Sequence, residues 1–312
     1  MPSVNWEELR KTIVADGTES ALPPSVKLPV LPRALTEFRN LSADPDADTN
    51  QLSQIIASDA GLSAELLKNV NSCKTGSGRG KVTSVKQALL TIGIQGTLLH
   101  LTTSVIKESM RSTSSKLINF QNFWNTNLER SLFAREIATL LGADTDLAYT
   151  AGMLQDFLLP MITNQLVDDY LEFAENRNQT SNLAAFEQDR FGWNHAQASA
   201  HIMLSWMFPD ELICCVHFHH HGLEILKDEK LRKTSVAATA ISSLMLDALR
   251  QEPQGIEKLM HLDEHWTEFD LFKTAKKVDM EFQALSENAS NHIPFARVLE
   301  STKKRMDERI GV

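Results

Sequence analysis

Apolar residues recur at three- and four-residue spacing along most of the 312-residue chain. In "TNQLSQIIASDAGLSAELLKNVNS" they fall at Leu52, Ile55 and Ile56, then at Leu62, Leu66, Leu67 and Val70, the stripe of an amphipathic helix. "TSVKQALLTIG" places Ser84 three residues before Gln87, a capping box, with Gly93 where a helix would stop. "NFQNFWNTNLERSLFAREIATLLG" predicts a long helix closing on Gly142, and "LAAFEQDRFG" a short one closing on Gly192. Asn194 stands before "HAQASAHIMLSWMF", and Pro209 opens "PDELICCVHFHHH"; both suit helix starts. "TSVAATAISSLMLDALR" is a further apolar helix. No segment alternates with period two between turn signals, so the expected fold is all-α, a multi-helix bundle without substantial sheet.

Two stretches interrupt the pattern. "ALPPSVKLPVLPRA" carries four of the ten prolines and must be extended, with Leu28–Pro32 as a strap lying on helices. "CKTGSGRGKVTS" carries three glycines, but it lacks the GxxxxGK[ST] spacing of a phosphate cradle and follows no strand; it is an interhelix loop. Softer breaks fall near Ser109–Ser115 and Gly222–Glu229.

Composition narrows the function. A net charge of −9 disfavours the basic footprint of a nucleic-acid binder, and the basic clusters at Lys227–Lys233 and Lys303–Arg309 are interleaved with acids, as on solvated helix faces. No apolar run approaches the roughly 18 residues of a membrane span, and the polar start carries no signal-peptide pattern, so a cytoplasmic location is expected. Three cysteines, two of them adjacent and none in a CxxC pair, read as reduced thiols rather than a disulfide framework or a zinc site.

The densest candidate chemistry is "CCVHFHHHGLE", with four of the ten histidines in five positions. A hydrolytic centre built from helices needs histidines and carboxylates from several of them in one cavity, where a metal lowers the pKa of a bound water toward ~7. His217 and His221 stand at i, i+4 and could meet a metal at the surface, whereas His219 and His220 point elsewhere on a continuous helix. Trp124, Trp193 and Trp206 read as core anchors at helix junctions.

"LPVLPRALTEFRNLSADPDADTNQLSQIIASDAGLSAELLKNVNSC" resembles the opening of the bacterial HDOD domain, the HD-related output domain. The resemblance continues through "TSVKQALLTIG", Phe123–Trp124, "AGMLQDFLLP", "FGWNHAQASAHIMLSW" and "VHFHHHG", covering residues 22–222. It implies a lead-in at 1–21, an HDOD-like domain at 22–222 (an N-terminal subdomain at 22–110, an HD-like one at 111–222), and a helical extension at 223–312 packing on the HD-like part.

The departures from the catalytic HD pattern bear on activity. The His-Asp doublet falls on Gln155–Asp156, an early ligand histidine on Thr126, and the late aspartate within the carboxylate-free "SVAATAISS". An amide oxygen is a poor substitute for imidazole on a transition metal. Three of the four ligand positions are lost, and even the residues after the doublet are Phe157–Leu158. What the resemblance leaves is a residual pocket of Thr126, Gln155, Asp156, His195, His219 and His220. Two readings stay open for it: hydrogen bonding that holds helices together, or a vestigial site for a small-molecule, nucleotide or anionic ligand. The expected function is a non-catalytic signal-transduction module meeting other signalling proteins, with no catalytic residue, no membrane contact and no cofactor. Its competitor is a metal-dependent HD-type phosphohydrolase using Asp156, His195, His219 and His220 as a rearranged divalent-metal set.

Overall fold

Short polar side chains start the helices. Asn5, Asp48, Asn119, Asp144, Asn182, Asn194 and Asp270 each accept a backbone N–H of the first turn, satisfying donors that have no partner inside the helix. At Asn194 the box is reciprocal: its Oδ1 accepts from Gln197 N at 3.0 Å, and Gln197 Oε1 accepts from Asn194 N at 3.2 Å. Gly142 and Gly192 close their helices in the left-handed region at φ 67° and 76°, where a side chain would be strained.

The computed structural model describes residues 4–14, 31–44, 46–72, 81–111, 115–176, 182–286 and 292–310. Cys73, most of the glycine-containing loop and the first part of the Leu28–Pro32 strap lie outside the described residues; Pro32 itself caps the following helix with φ −53° and ψ 144°. Among the described residues there are 16 α-helices and no strand, and the fold is all-helical.

The chain divides into two compact units, Lys27–Thr113 and Met1–Val26 with Ser114–Val312. The first contains α2 (Arg33–Ser42), α3 (Thr49–Ala57), α4 (Ala60–Ser72) and α5 (Val85–Arg111), packed around Leu35, Phe38, Leu52, Ile56, Leu66 and Leu101. By length and composition Val85–Glu108 would pass as a membrane span, contrary to what a count of uninterrupted apolar residues suggests. Polar residues such as Gln87 and Gln95 break the run without much lowering its average. In the fold the segment turns at Gly93 (φ 76°, ψ 172°), and Ala88, Leu89, Leu98 and Leu101 join the apolar core.

The larger unit begins with α1 (Trp6–Ile13), which packs on α12 (Asp210–His217) through the Arg10–Asp210 ion pair at 2.9 Å. Its framework is α6 (Phe120–Leu141) against α7 (Thr145–Leu154), α13 (Ser235–Ser242) and α15 (Leu271–Leu285). A Cβ on Gly152 would lie 2.8 Å from Ser131 Cα, so the α6–α7 approach requires glycine there. Then come α8 (Leu159–Gln165), α9 (Val167–Glu175), α10 (Leu183–Phe191) and α11 (His195–Ser205). A 3-10 segment, His219–Lys227, follows α12, and α14 (Gly255–His265) and α16 (Phe295–Ile310) complete the unit. Phe133, Ile137, Ile241, Leu259, Phe282 and Phe295 form its apolar core, so residues beyond 223 share one core with α6. Trp124, Trp193 and Trp206 are buried, each against a phenylalanine.

Candidate functional site

Three parts of the larger unit bring the histidines and Asp156 together. Asp156 sits in the turn between α7 and α8, and His195 is the first residue of α11. The helix from Pro209 does not run on to His221: α12 stops at His217, and the chain tightens into 3-10 geometry before turning at Gly222 (φ 51°, ψ −132°). That break aims His219 and His220 inward, correcting the expectation from a continuous helix. His217 and His221 instead flank the Phe218 ring, at centroid distances of 4.8 and 4.9 Å.

Asp156 Oδ1 lies 3.2 Å from His195 Nε2 and 3.3 Å from His219 Nε2. His220 Nε2 lies 2.9 Å from His195 Nε2. Behind His195, Glu187 Oε2 accepts both the ring Nδ1 at 2.6 Å and the backbone N–H at 2.8 Å, while Glu187 Oε1 accepts from Tyr170 OH at 2.6 Å. Burial opposes charging His195, but Glu187 and Asp156 outweigh it and hold the imidazolium with a pKa of about 10. Burial and the neighbouring His220 push His219 down to about 4, so it is neutral at pH 7. Its Nδ1 donates to Val216 O at 2.6 Å, which leaves Nε2 a buried acceptor without a donor.

The other oxygen of Asp156 faces a resident cation. Arg130, from α6, places its guanidinium on Asp156 Oδ2, and Gln251 Nε2 donates to the same oxygen at 2.9 Å. A second nitrogen of Arg130 donates to Met245 O at 2.9 Å and Ser243 O at 3.2 Å, and meets Asp247 Oδ2 at 3.2 Å. Arg130 and Asp156 are both about 1% exposed. Burial alone would raise Asp156, but the imidazole side and the Arg130 charge hold its carboxyl well below the usual carboxylate range.

The two substituted positions are neutral. Gln155 is fully buried with Oε1 3.5 Å from Ser242 Oγ of α13, whose eight residues are all buried. Thr126 lines a cavity of about 10 Å³ with Asn127, Arg130 and Asp156, room for one water at most.

Asp156, His195, His219 and His220 each offer one ligand-type atom, all within 4.8 Å of one another. One feature favours an ion, the donorless Nε2 of His219. Two further contacts bear on it: Glu187 accepts the His195 Nδ1–H, the arrangement that presents a histidine's Nε2 to a ligand, whereas Arg130 and Gln251 occupy Asp156 Oδ2 and leave only Oδ1 toward the imidazoles. The four residues could therefore hold a divalent ion, which would polarise a bound water, with Asp156 offering Oδ1 alone.

Arg130, Glu187, Asp247, Gln251 and Glu252 were not picked out from the sequence. Arg130 had a legible signal: it stands four residues after Thr126, a lone cation on the face that continues through Ala134 and Ile137. Asp247 supplies a late carboxylate from beyond "SVAATAISS", on a loop whose reach no helical spacing reveals.

An all-helical unit with a histidine–aspartate cluster at its centre defines a domain of HD-like architecture. The HDOD domain model matches residues 28–222, and the chain belongs to that family. An uncharacterized protein of Treponema pallidum is 24% identical over 263 residues, covering 82% of this chain; this chain spans about half, 50%, of that relative. Among solved structures, an HDOD domain protein of unknown function from Geobacter sulfurreducens aligns with a TM-score of 0.54 at 15% identity, covering 97% of this chain and 96% of the other. A Shewanella amazonensis protein named "Putative phosphohydrolase" aligns with a TM-score of 0.57 at 18% identity, covering 92% and 94%. A Marinobacter aquaeolei protein named as a signal transduction protein aligns with a TM-score of 0.55 at 16% identity, covering 90% and 63%. At these identities the likenesses carry the fold alone.

Proposed function

We propose that this chain is a non-catalytic regulatory module of the HDOD type, acting through contacts with signalling proteins or by sensing a ligand. The observation that supports it most is the Arg130 guanidinium on Asp156. A metal centre uses its aspartate to hold a divalent ion; here a fixed side-chain cation neutralises that aspartate, assisted by Gln251 and the His195 imidazolium. A guanidinium cannot lower the pKa of a bound water as a divalent ion does. The cluster then serves to tie α6, α7, α11 and the 3-10 segment together, with Thr126 and Gln155 as uncharged neighbours.

The second reading is a metal-dependent phosphohydrolase or phosphodiesterase with a rearranged ligand set, and the donorless Nε2 of His219 is what favours it. Elemental analysis of protein purified without an affinity tag separates the two. The regulatory reading expects well under one metal per chain and no hydrolysis of nucleotides or cyclic dinucleotides with added manganese. Stoichiometric metal that disappears in His219→Ala, accompanied by hydrolysis, overturns it.

A further inference from the structure

Away from the histidine cluster, the larger unit carries a cleft of about 490 Å³ between the start of α14 and one face of α16. Leu244, Ile256 and Val298 contribute apolar lining, and Arg250, Arg305 and Arg309 line the same space. We propose that this cleft is a binding site for a small phosphorylated ligand, held by Arg250 and Arg305 with Arg309 at the edge. It goes beyond the regulatory reading above, because such a ligand would be held whether or not the histidine cluster is catalytic.

All three arginines are exposed at the cleft, and they are differently engaged. Arg309 is shared with Glu257 at 3.4 Å. Arg305 spends one N–H on Thr302 Oγ1, at 3.0 Å. Among the described residues, nothing takes the Arg250 guanidinium. The acids of the cleft are largely committed: Glu257 to Arg309, and Glu252 to Lys258 at 3.2 Å. Glu175 remains as an exposed carboxylate in the lining. Two guanidinium forks with free N–H groups suit the paired oxygens of a phosphate better than a single carboxylate.

The backbone delivers Arg250 to the cleft deliberately. Arg250 is a non-glycine residue at φ 54°, a conformation that persists only where its surroundings enforce it. Asp247 enforces it, accepting Leu249 N at 2.8 Å and Gln251 N at 3.1 Å. The start of α14 also borders the cleft through Ile256 and Glu257, and its first N–H, on Gly255, donates to Glu252 O at 3.0 Å. Around Arg250 the same short loop turns the other way: Asp247 meets Arg130, Gln251 donates to Asp156, and Glu252 Oε1 lies 3.7 Å from His220 Nδ1. A ligand on Arg250 would therefore pull on the loop that closes the buried ion network, which gives a sensing module a route from cleft to core.

Inorganic pyrophosphate is the probe, titrated into the full chain by calorimetry with ionic strength held constant by sodium chloride. Saturable binding is expected, with a thermal midpoint that rises with pyrophosphate, and Arg250→Ala and Arg305→Ala should each weaken binding at least tenfold. Lys233→Ala, which removes a cation outside the cleft, should leave it unchanged. Non-saturable binding, equal stabilisation by chloride, or wild-type affinity in folded Arg250→Ala overturns the proposal. Metal content and hydrolysis read the histidine cluster, so failure there and failure here are separate results.

Discussion

The cores of the two units are built on different physics. Around Leu35, Phe38, Leu52, Ile56 and Leu66 the smaller unit buries hydrocarbon, and among the described residues its buried polar ones are the hydroxyls Ser53, Thr97 and Thr102, with His100 partly buried. The larger unit has an apolar core of its own, yet at its centre it buries Arg130, Asp156, Glu187, His195 and His219. An apolar core tolerates exchange of like for like and loses stability in proportion to the volume removed. A buried ion network depends on completeness, because every member removed strands the charge of another. The smaller unit therefore should respond to volume and the larger one to charge.

The sharpest break of that contrast is Arg130→Met, similar in bulk but uncharged. It leaves Asp247 without its cation and Asp156 with the His195 imidazolium alone, and should cost about 3–5 kcal/mol, read as a lower urea midpoint. Arg130→Lys should fall between, since one ammonium cannot reproduce the fork that meets Asp156 and Met245 O together. If Arg130→Met unfolds at the wild-type midpoint, the network is not what holds the larger unit. In the smaller unit, Leu66→Ala should cost about 2–5 kcal/mol by the cavity it opens, whereas Leu66→Met should cost under about 1.5 kcal/mol.

A subtler change is Glu187→Gln, which keeps the shape of the His195 contact but removes its countercharge. The His195 pKa of about 10 should fall, so that its imidazole nitrogen shifts titrate at lower pH in the variant than in the wild type. Losing this charge-assisted bond should cost about 1–3 kcal/mol at pH 7. A His195 that stays protonated would show that Asp156 alone holds the charge.

The smallest effect concerns Glu211, where burial, with Asp144 nearby, pushes the carboxyl up to about 7 from 4.5. The folded chain keeps a proton that the unfolded chain releases, so this contribution is full below pH 4.5 and lost as pH rises through about 7. Glu211→Gln should therefore gain thermal midpoint over the wild type at pH 8, with the difference shrinking toward pH 5. A difference independent of pH would place the effect in packing.

The helices were legible because their signals are local. A stripe such as Leu52–Ile56–Leu66, an Asn or Asp at an N-cap and a glycine at a C-cap act over a few residues, and the chain states them outright. The loss of the His-Asp doublet at Gln155–Asp156 was equally visible, as was the set of His195, His219 and His220. Where the helix after Pro209 would stop was not, since Gly222 and the 3-10 turn depend on how Ser243 Oγ bonds His219 O at 2.6 Å from a distant segment.

By itself the sequence determined that the chain is all-helical and of HDOD type, with Gln155 rather than a histidine before Asp156. Only the tertiary structure decided what surrounds Asp156. Arg130, Asp247 and Gln251 are separated from Asp156 by 26, 91 and 95 positions, the differences of their residue numbers. Nothing in local propensity couples residues that far apart. Desolvation does: once α6, α7 and the loop before α14 exclude water, Asp156 must find a partner, and the buried arginine is within reach.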